Sequence, residues 1–144
     1  MTSPKKASIS ILVNSKGQIL LQLRDNKPQI PSPNQWGFIG GGIEEGENEL
    51  EAIKRETKEE IGLSPDNFKY LDKFYIKQHN TILFLFIAGL DVPAEDIKLT
   101  EGQAVRFFYP SEIKDINMIK ILQKMVSKYS ENISSLARTL NASQ

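Results

Sequence analysis

Three glutamates, Glu56, Glu59 and Glu60, stand close together in WGFIGGGIEEGENELEAIKRETKEEIGL, the stretch from Trp36 to Leu63. On a helix advancing by about 100° per residue, they fall on one arc. Carboxylates three and four positions apart on a helix are neighbours and repel. Two unit charges about 4 Å apart cost roughly 4 kcal/mol at an effective dielectric near 20. A hard divalent cation offsets that repulsion, and Mg²⁺ prefers carboxylate oxygens together with substrate phosphates. Ahead of the glutamates lie Gly40, Gly41 and Gly42. They are expected to form a turn whose bare backbone approaches a ligand closely. A metal held between such a turn and such a helix polarises a phosphoryl group, orients water and lowers its pKa.

The helix that must position these groups carries its own boundaries. Asn48 is a good N-cap, with Glu51 three residues on for a reciprocal bond. Gly62 is a natural C-terminal stop. Leu50, Ile53, Thr57 and Ile61 form the predicted packing stripe. Ala52 falls within the carboxylate arc and leaves room above it.

Taken together, Gly41, Glu47, Arg55, Glu56, Thr57, Glu59, Glu60, Gly62 and Leu63 resemble the signature box of the Nudix hydrolases. Every polar and glycine position matches. Thr57 stands where an aliphatic residue is usual, and Ile39 where many relatives have proline. The resemblance implies an α+β fold, an α/β/α sandwich with a mixed β-sheet between helices and the box helix on one face. It implies Mg²⁺, with Mn²⁺ as a substitute, held by Glu56, Glu59, Glu60 and the Gly40 carbonyl. It implies a Glu47–Arg55 pair clamping loop to helix. In the MutT-like branch, a Glu-Gly-Gln at the place of Glu101-Gly102-Gln103 supplies a further carboxylate. Glu59, Glu60 and Glu101 are therefore the catalytic candidates, with Glu95, Asp96 and Glu112 as weaker competitors. Arg24, Trp36 and Gly41 are assigned to the substrate. Arg24 has the alternative of a plain edge-strand arginine, and Trp36 that of a sheet anchor.

Length and composition bound the remaining choices. The chain has 144 residues, a single domain's worth, expected to span 1–144 with a loose tail over 1–6. Its 18 basic and 18 acidic residues balance, which argues against a nucleic-acid polymer or an anionic membrane as partner. Without cysteine there is neither a disulfide framework nor thiolate chemistry. The single histidine, His79, excludes a His-rich metal site and is given no catalytic part. No apolar run follows the N-terminal lysines as in a signal peptide, and none approaches the ~20 residues of a membrane span. The default setting is the cytoplasm.

Alternation and turn residues predict a hairpin from Ala7–Val13 and Gln18–Arg24 through Asn14–Gly17. A proline-bearing loop follows over Asp25–Gln35, then a short strand over Trp36–Ile39. Beyond the helix, strands are expected over Phe68–Lys77, Thr81–Leu90 and Ala104–Tyr109, with a helical turn at Ser111–Asp115. Ile119, Leu122, Met125, Val126 and Tyr129 have helical spacing, as do Ile133, Leu136, Ala137 and Leu140 after Ser130. These stripes are read as packing, a homodimer being the other use of a helical edge.

The expected activity is an Mg²⁺-dependent pyrophosphohydrolase acting on a nucleoside diphosphate linked to another moiety. A nucleoside triphosphate, cut to monophosphate and pyrophosphate, is the leading substrate. The alternative is a non-catalytic module of the same fold that binds or senses a nucleotide. A third reading, an isomerase on this scaffold, lacks the cysteine that chemistry usually uses.

Overall fold

The computed structural model describes residues 2–142. Seven strands and three helices follow in order. They are β1 (Lys5–Val13), β2 (Ile19–Leu23), β3 (Trp36–Gly37), β4 (Ile39–Gly42), α1 (Glu49–Ile61), β5 (Lys69–Ile76), β6 (Thr81–Gly89), β7 (Ala104–Phe108), α2 (Lys120–Lys128) and α3 (Ser130–Ala142). The helices flank a mixed sheet, an α+β sandwich in the expected arrangement.

β1 is the axis of the sheet. It runs parallel to β6 along its whole length, and β5 lies antiparallel on the far side of β6. On its other edge β1 pairs antiparallel with β4 over Ala7–Ser10. At its end it turns through Asn14–Gly17 into β2, meeting it at Val13 and Ile19. β2 then diverges and lies between β7 and β3.

Period-two alternation sorts β1 into two faces. Ile9, Ile11 and Val13 join Leu85, Ile87, Leu122, Val126 and Ile133 in the core beneath α2 and α3. Ser8, Ser10 and Leu12 face the other way. Ser8 Oγ donates to the Glu49 carbonyl at 2.8 Å and Ser10 Oγ to the Ile39 carbonyl at 3.4 Å. Small hydroxyls here let α1 settle close to the sheet. Ile53 packs on Phe84 and Phe86, while Leu85 and Ile87 point to the opposite core. Burial on both faces explains why TILFLFIAGL reads as almost continuously apolar.

Several details differ from the sequence expectation. The tail is shorter, because Lys5 and Lys6 pair with Thr81 and Ile82 as part of β1; Met1 lies outside the described residues. The glycine triplet is not a turn. Gly40, Gly41 and Gly42 are extended and pair with Ile9, Ser8 and Ala7. The turn comes later, at Glu44–Glu47, with Gly46 at φ +82°. Trp36–Ile39 is broken at Phe38, where the chain leaves β2 for β1. Leu50 is exposed rather than part of the packing face, lying in the first turn of α1. Ala52, Ile53, Thr57 and Ile61 are buried, and so is Glu60.

Gly40 carries the tightest constraint. A Cβ there would run into the Ser8 carbonyl and the Ile9 backbone, and its φ of +154° disfavours a side chain. Gly40→Ala is expected to cost at least about 2 kcal/mol, read as a lower urea midpoint. A variant as stable as the parent would contradict this packing of β4 on β1.

Candidate active site

α1 begins with a full capping box. Glu51 N–H donates to Asn48 Oδ1 at 2.8 Å, and Asn48 N–H donates to Glu51 Oε1 at 3.0 Å. Gly62, at φ +74°, ends it, its N–H donating to the Lys58 carbonyl. With both ends fixed, Thr57 and Ile61 pack inward and Glu56, Glu59 and Glu60 follow from the helical period.

Arg55 organises the carboxylates around it. Its Nε and Nη2 donate to the two oxygens of Glu47 at 2.7 and 2.9 Å, a bidentate pair. Nη2 also donates to the Gly42 carbonyl at 2.9 Å. Nη1 reaches Glu56 at 2.9 Å and Glu59 at 3.2 Å. One guanidinium thus ties the turn, the end of β4 and two of the three helix glutamates. The hydrogen bond from Arg55 and that from the Glu44 N–H hold the Glu47 carboxyl down to about 2. Arg55 is in turn held firmly protonated, chiefly by Glu47.

Glu60 is the buried member, 4 % exposed. It accepts the Gly40 N–H at 3.0 Å. Burial pushes its carboxyl up to about 8, against the pull of that N–H and with the neighbouring Glu56 and Glu101 charges adding to the rise. Glu56 is also raised, first by burial and then by Glu59 and Glu101, with Arg55 opposing. Glu56 lies directly over Gly41, where an added Cβ would come within 2.5 Å of its carboxyl carbon. Gly41 must be bare because the Glu56 carboxylate occupies the space above it, whereas at Gly40 the obstacle is the β1 backbone.

These groups line a cleft of about 540 Å³, within the ~300–1,000 Å³ range of small-molecule sites. Gly40, Gly41, Gly42, Glu56, Glu59 and Glu60 form its floor. Gln22, Arg24, Asp25, Ile30, Thr100, Glu101 and Gly102 form its walls. Arg24 is the only cationic side chain among them, and its Nε donates to the Pro31 carbonyl at 2.9 Å. Glu101 reaches the cleft because Thr100–Gln103 runs between α1 and β2.

Trp36 is the sequence candidate that the cleft does not include. It pairs with Leu23, whereas Gln22 pairs with Gly37, so alternation sends Trp36 to the face opposite Gln22. There it packs edge-on against Phe108 at 4.9 Å, with the Arg106 guanidinium 5.8 Å from its ring. Trp36 is a sheet anchor. Glu95, Asp96 and Glu112 likewise do not line the cleft. His79 closes a short 3-10 turn between β5 and β6.

The donor set suits a hard cation: carboxylates pushed together, one of them held protonated chiefly by burial and further by its neighbours, beside a backbone with no side chains. It is not a finished cage. Among the described residues no three acidic or imidazole groups stand placed to hold an ion. Arg55 Nη1 engages one oxygen of Glu56 and one of Glu59, which leaves the second oxygen of each carboxylate for an ion.

The site is thus a cleft in an α/β/α sandwich, with glutamates of one helix facing a glycine strand of the mixed sheet. The model of the NUDIX domain matches residues 3–129. The chain belongs to the Nudix hydrolase family, whose members generally use divalent metals. It is 32% identical over 125 residues to an RNA pyrophosphohydrolase of Psychrobacter arcticus, covering 69% of each chain. It is 41% identical over 69 residues to an RNA pyrophosphohydrolase of Pasteurella multocida, a match spanning 48% of this chain and 30% of that one. A MutT protein from Methanosarcina mazei superposes with a TM-score of 0.76 at 20% identity, over 92% of this chain and 97% of that one.

The raised Glu60 carboxyl sets a pH dependence. Between the ordinary value of 4.5 and about 8 the folded protein holds a proton that the unfolded chain has lost. Stability in EDTA therefore falls as the pH rises through that window. Glu60→Gln is expected to flatten the decline, so that the variant melts above the parent at pH 8 but not at pH 5. Parallel melting curves for parent and variant at both pH values would rule out the assignment.

Proposed function

We propose that the protein hydrolyses a diphosphate linkage in a nucleotide, with a nucleoside triphosphate cut to monophosphate and pyrophosphate as the leading case. The observation that carries this is the meeting of Glu56, Glu60 and Glu101 above the Gly40–Gly42 strand, in a cleft sized for a small molecule. A triphosphate brings more negative charge into a cleft that already holds five carboxylates and one guanidinium. Mg²⁺, with Mn²⁺ in its place, would neutralise that charge and polarise the phosphoryl oxygens when bound by Glu56, Glu59, Glu60 and the Gly40 carbonyl.

The chain's own groups have distinct parts in this reading. Arg24 meets the phosphates. The Gly40–Gly42 backbone borders them, Gly41 through its main chain, since Glu56 fills the space above it. The Glu47–Arg55 pair fixes the turn that ends the strand. Glu101, with Glu59 and Glu60 as the other candidates, takes the proton from the attacking water. Water adds to phosphorus, the bridging P–O bond breaks and pyrophosphate leaves.

Two of the relatives are named RNA pyrophosphohydrolase. An RNA carrying a 5′ polyphosphate end therefore belongs on the test panel, although the balanced charge of the chain favours a small nucleotide. Among the described residues no helix is long and apolar enough to cross a membrane, and a cytoplasmic setting would supply both nucleotides and Mg²⁺.

The test is product analysis on a panel of nucleoside triphosphates, dinucleoside polyphosphates, nucleotide sugars and 5′-triphosphorylated RNA with Mg²⁺. At least one should yield a monophosphate end. Glu60→Gln and Glu101→Gln should each lower kcat by about a hundredfold or more. A panel left intact under both Mg²⁺ and Mn²⁺ would end this reading. Tight nucleotide binding without turnover would then favour the sensing module.

A further inference from the structure

The Glu101 segment is fastened mainly by groups other than the Glu101 carboxylate, among them the Gln103 amide, which donates to the Arg24 carbonyl at 2.8 Å and to Asn34 Oδ1 at 2.9 Å. Gln22, on β2 and 6 % exposed, donates from Nε2 to the Glu101 carbonyl at 2.8 Å. Gln103 N–H donates to the Leu23 carbonyl at 2.8 Å. Thr100 N–H donates to the Glu60 carbonyl at 3.1 Å, and its Oγ1 to the Glu59 carbonyl at 2.8 Å. These last two satisfy carbonyls in the final turn of α1 that have no helical partner. Between them sits Gly102 at φ +82°, where a Cβ would meet the Leu23 carbonyl at 2.8 Å and Gln22 Cγ at 3.0 Å.

Each contact has a consequence for the carboxylate. Thr100 sets the segment's distance from the helix bearing Glu59 and Glu60. Gln22 sets its height over β2, from within an otherwise apolar strand, ILLQL. An amide buried in that strand has no packing rationale of its own, and its hydrogen bond leads into the cleft. Together they hold the Glu101 backbone so that its side chain meets Glu60, although the two are 41 residues apart in the chain.

We propose that Gln22 is a positioning residue of the site: its buried amide, with Thr100 as a second latch, holds Glu101 against the carboxylates of α1. This deepens the preceding reading, in which Glu101 belongs to the active centre. Neither residue touches the reacting atoms. Both act through the carbonyl or N–H groups around Glu101.

The test is a double-mutant cycle on Mn²⁺ affinity, read from the electron paramagnetic resonance signal of free Mn²⁺. Gln22→Met keeps shape and removes the donor; Thr100→Val does the same at an exposed site where folding is not at risk. Each is expected to weaken Mn²⁺ binding by about tenfold or more, because a displaced Glu101 would no longer place its carboxylate beside Glu60 as a further ligand of the ion. In a Glu101→Gln background neither should weaken it further. Unchanged affinity in both single variants, or losses of the same size with and without Glu101, would overturn the proposal. If the parent cleaves nothing on the panel while the cycle behaves as described, cleavage fails and the latch stands. If the parent cleaves and the losses are independent of Glu101, the latch alone fails.

Discussion

The guanidinium of Arg55 is the constraint on which the rest of the site depends. α1 brings Glu56, Glu59 and Glu60 to one arc, and the β1–β4 pairing brings a glycine strand beneath them. Left alone, that arrangement would push itself apart. Arg55 supplies a counter-charge from the same helix, engaging Glu47, Glu56, Glu59 and the Gly42 carbonyl at once. Its grip on Glu47 closes the turn between β4 and α1, so the charge balance also fixes backbone geometry. Glu60, beyond its reach, stays buried by keeping a proton and by accepting the Gly40 N–H.

The structure therefore carries two substitutes for a cation: a guanidinium over one part of the cluster and a proton in the other. On the proposed reading a cation would share the free oxygens of Glu56 and Glu59 with Arg55 and replace the Glu60 proton, which is held up to a pH of about 8. Binding a cation and releasing that proton are one linked equilibrium. Two of the strand's glycines serve the same end. Gly40 lets β4 lie against β1, and Gly41 leaves space for Glu56.

Much of this was legible in the sequence, because the relevant rules are local. The N-cap, the C-terminal glycine and the arc of glutamates all follow from the helical period within one segment. The α/β/α arrangement came from resemblance, since period and propensity do not give strand order. What escaped was decided by pairing between distant strands. Gly40–Gly42 look like a turn, yet β1 captures them as a strand. Trp36 looks like a stacking residue, yet its partner Leu23 puts it on the face opposite Gln22. Leu50 fits the apolar stripe by angle but lies beyond the edge of the packed surface. Gln22 left a faint trace, one amide in an apolar strand two residues before Arg24. Thr100 left none, because its partners are carbonyls that any residue has.

The central claim is that the carboxylates over Gly40–Gly42 form a cation site, with Arg55 fixing one oxygen each of Glu56 and Glu59. An anomalous difference map from a crystal grown with Mn²⁺ tests it most directly. The account predicts a peak bonded to the carboxylates of Glu56 and Glu60. A map with strong Mn²⁺ peaks elsewhere and none in this cleft would contradict it.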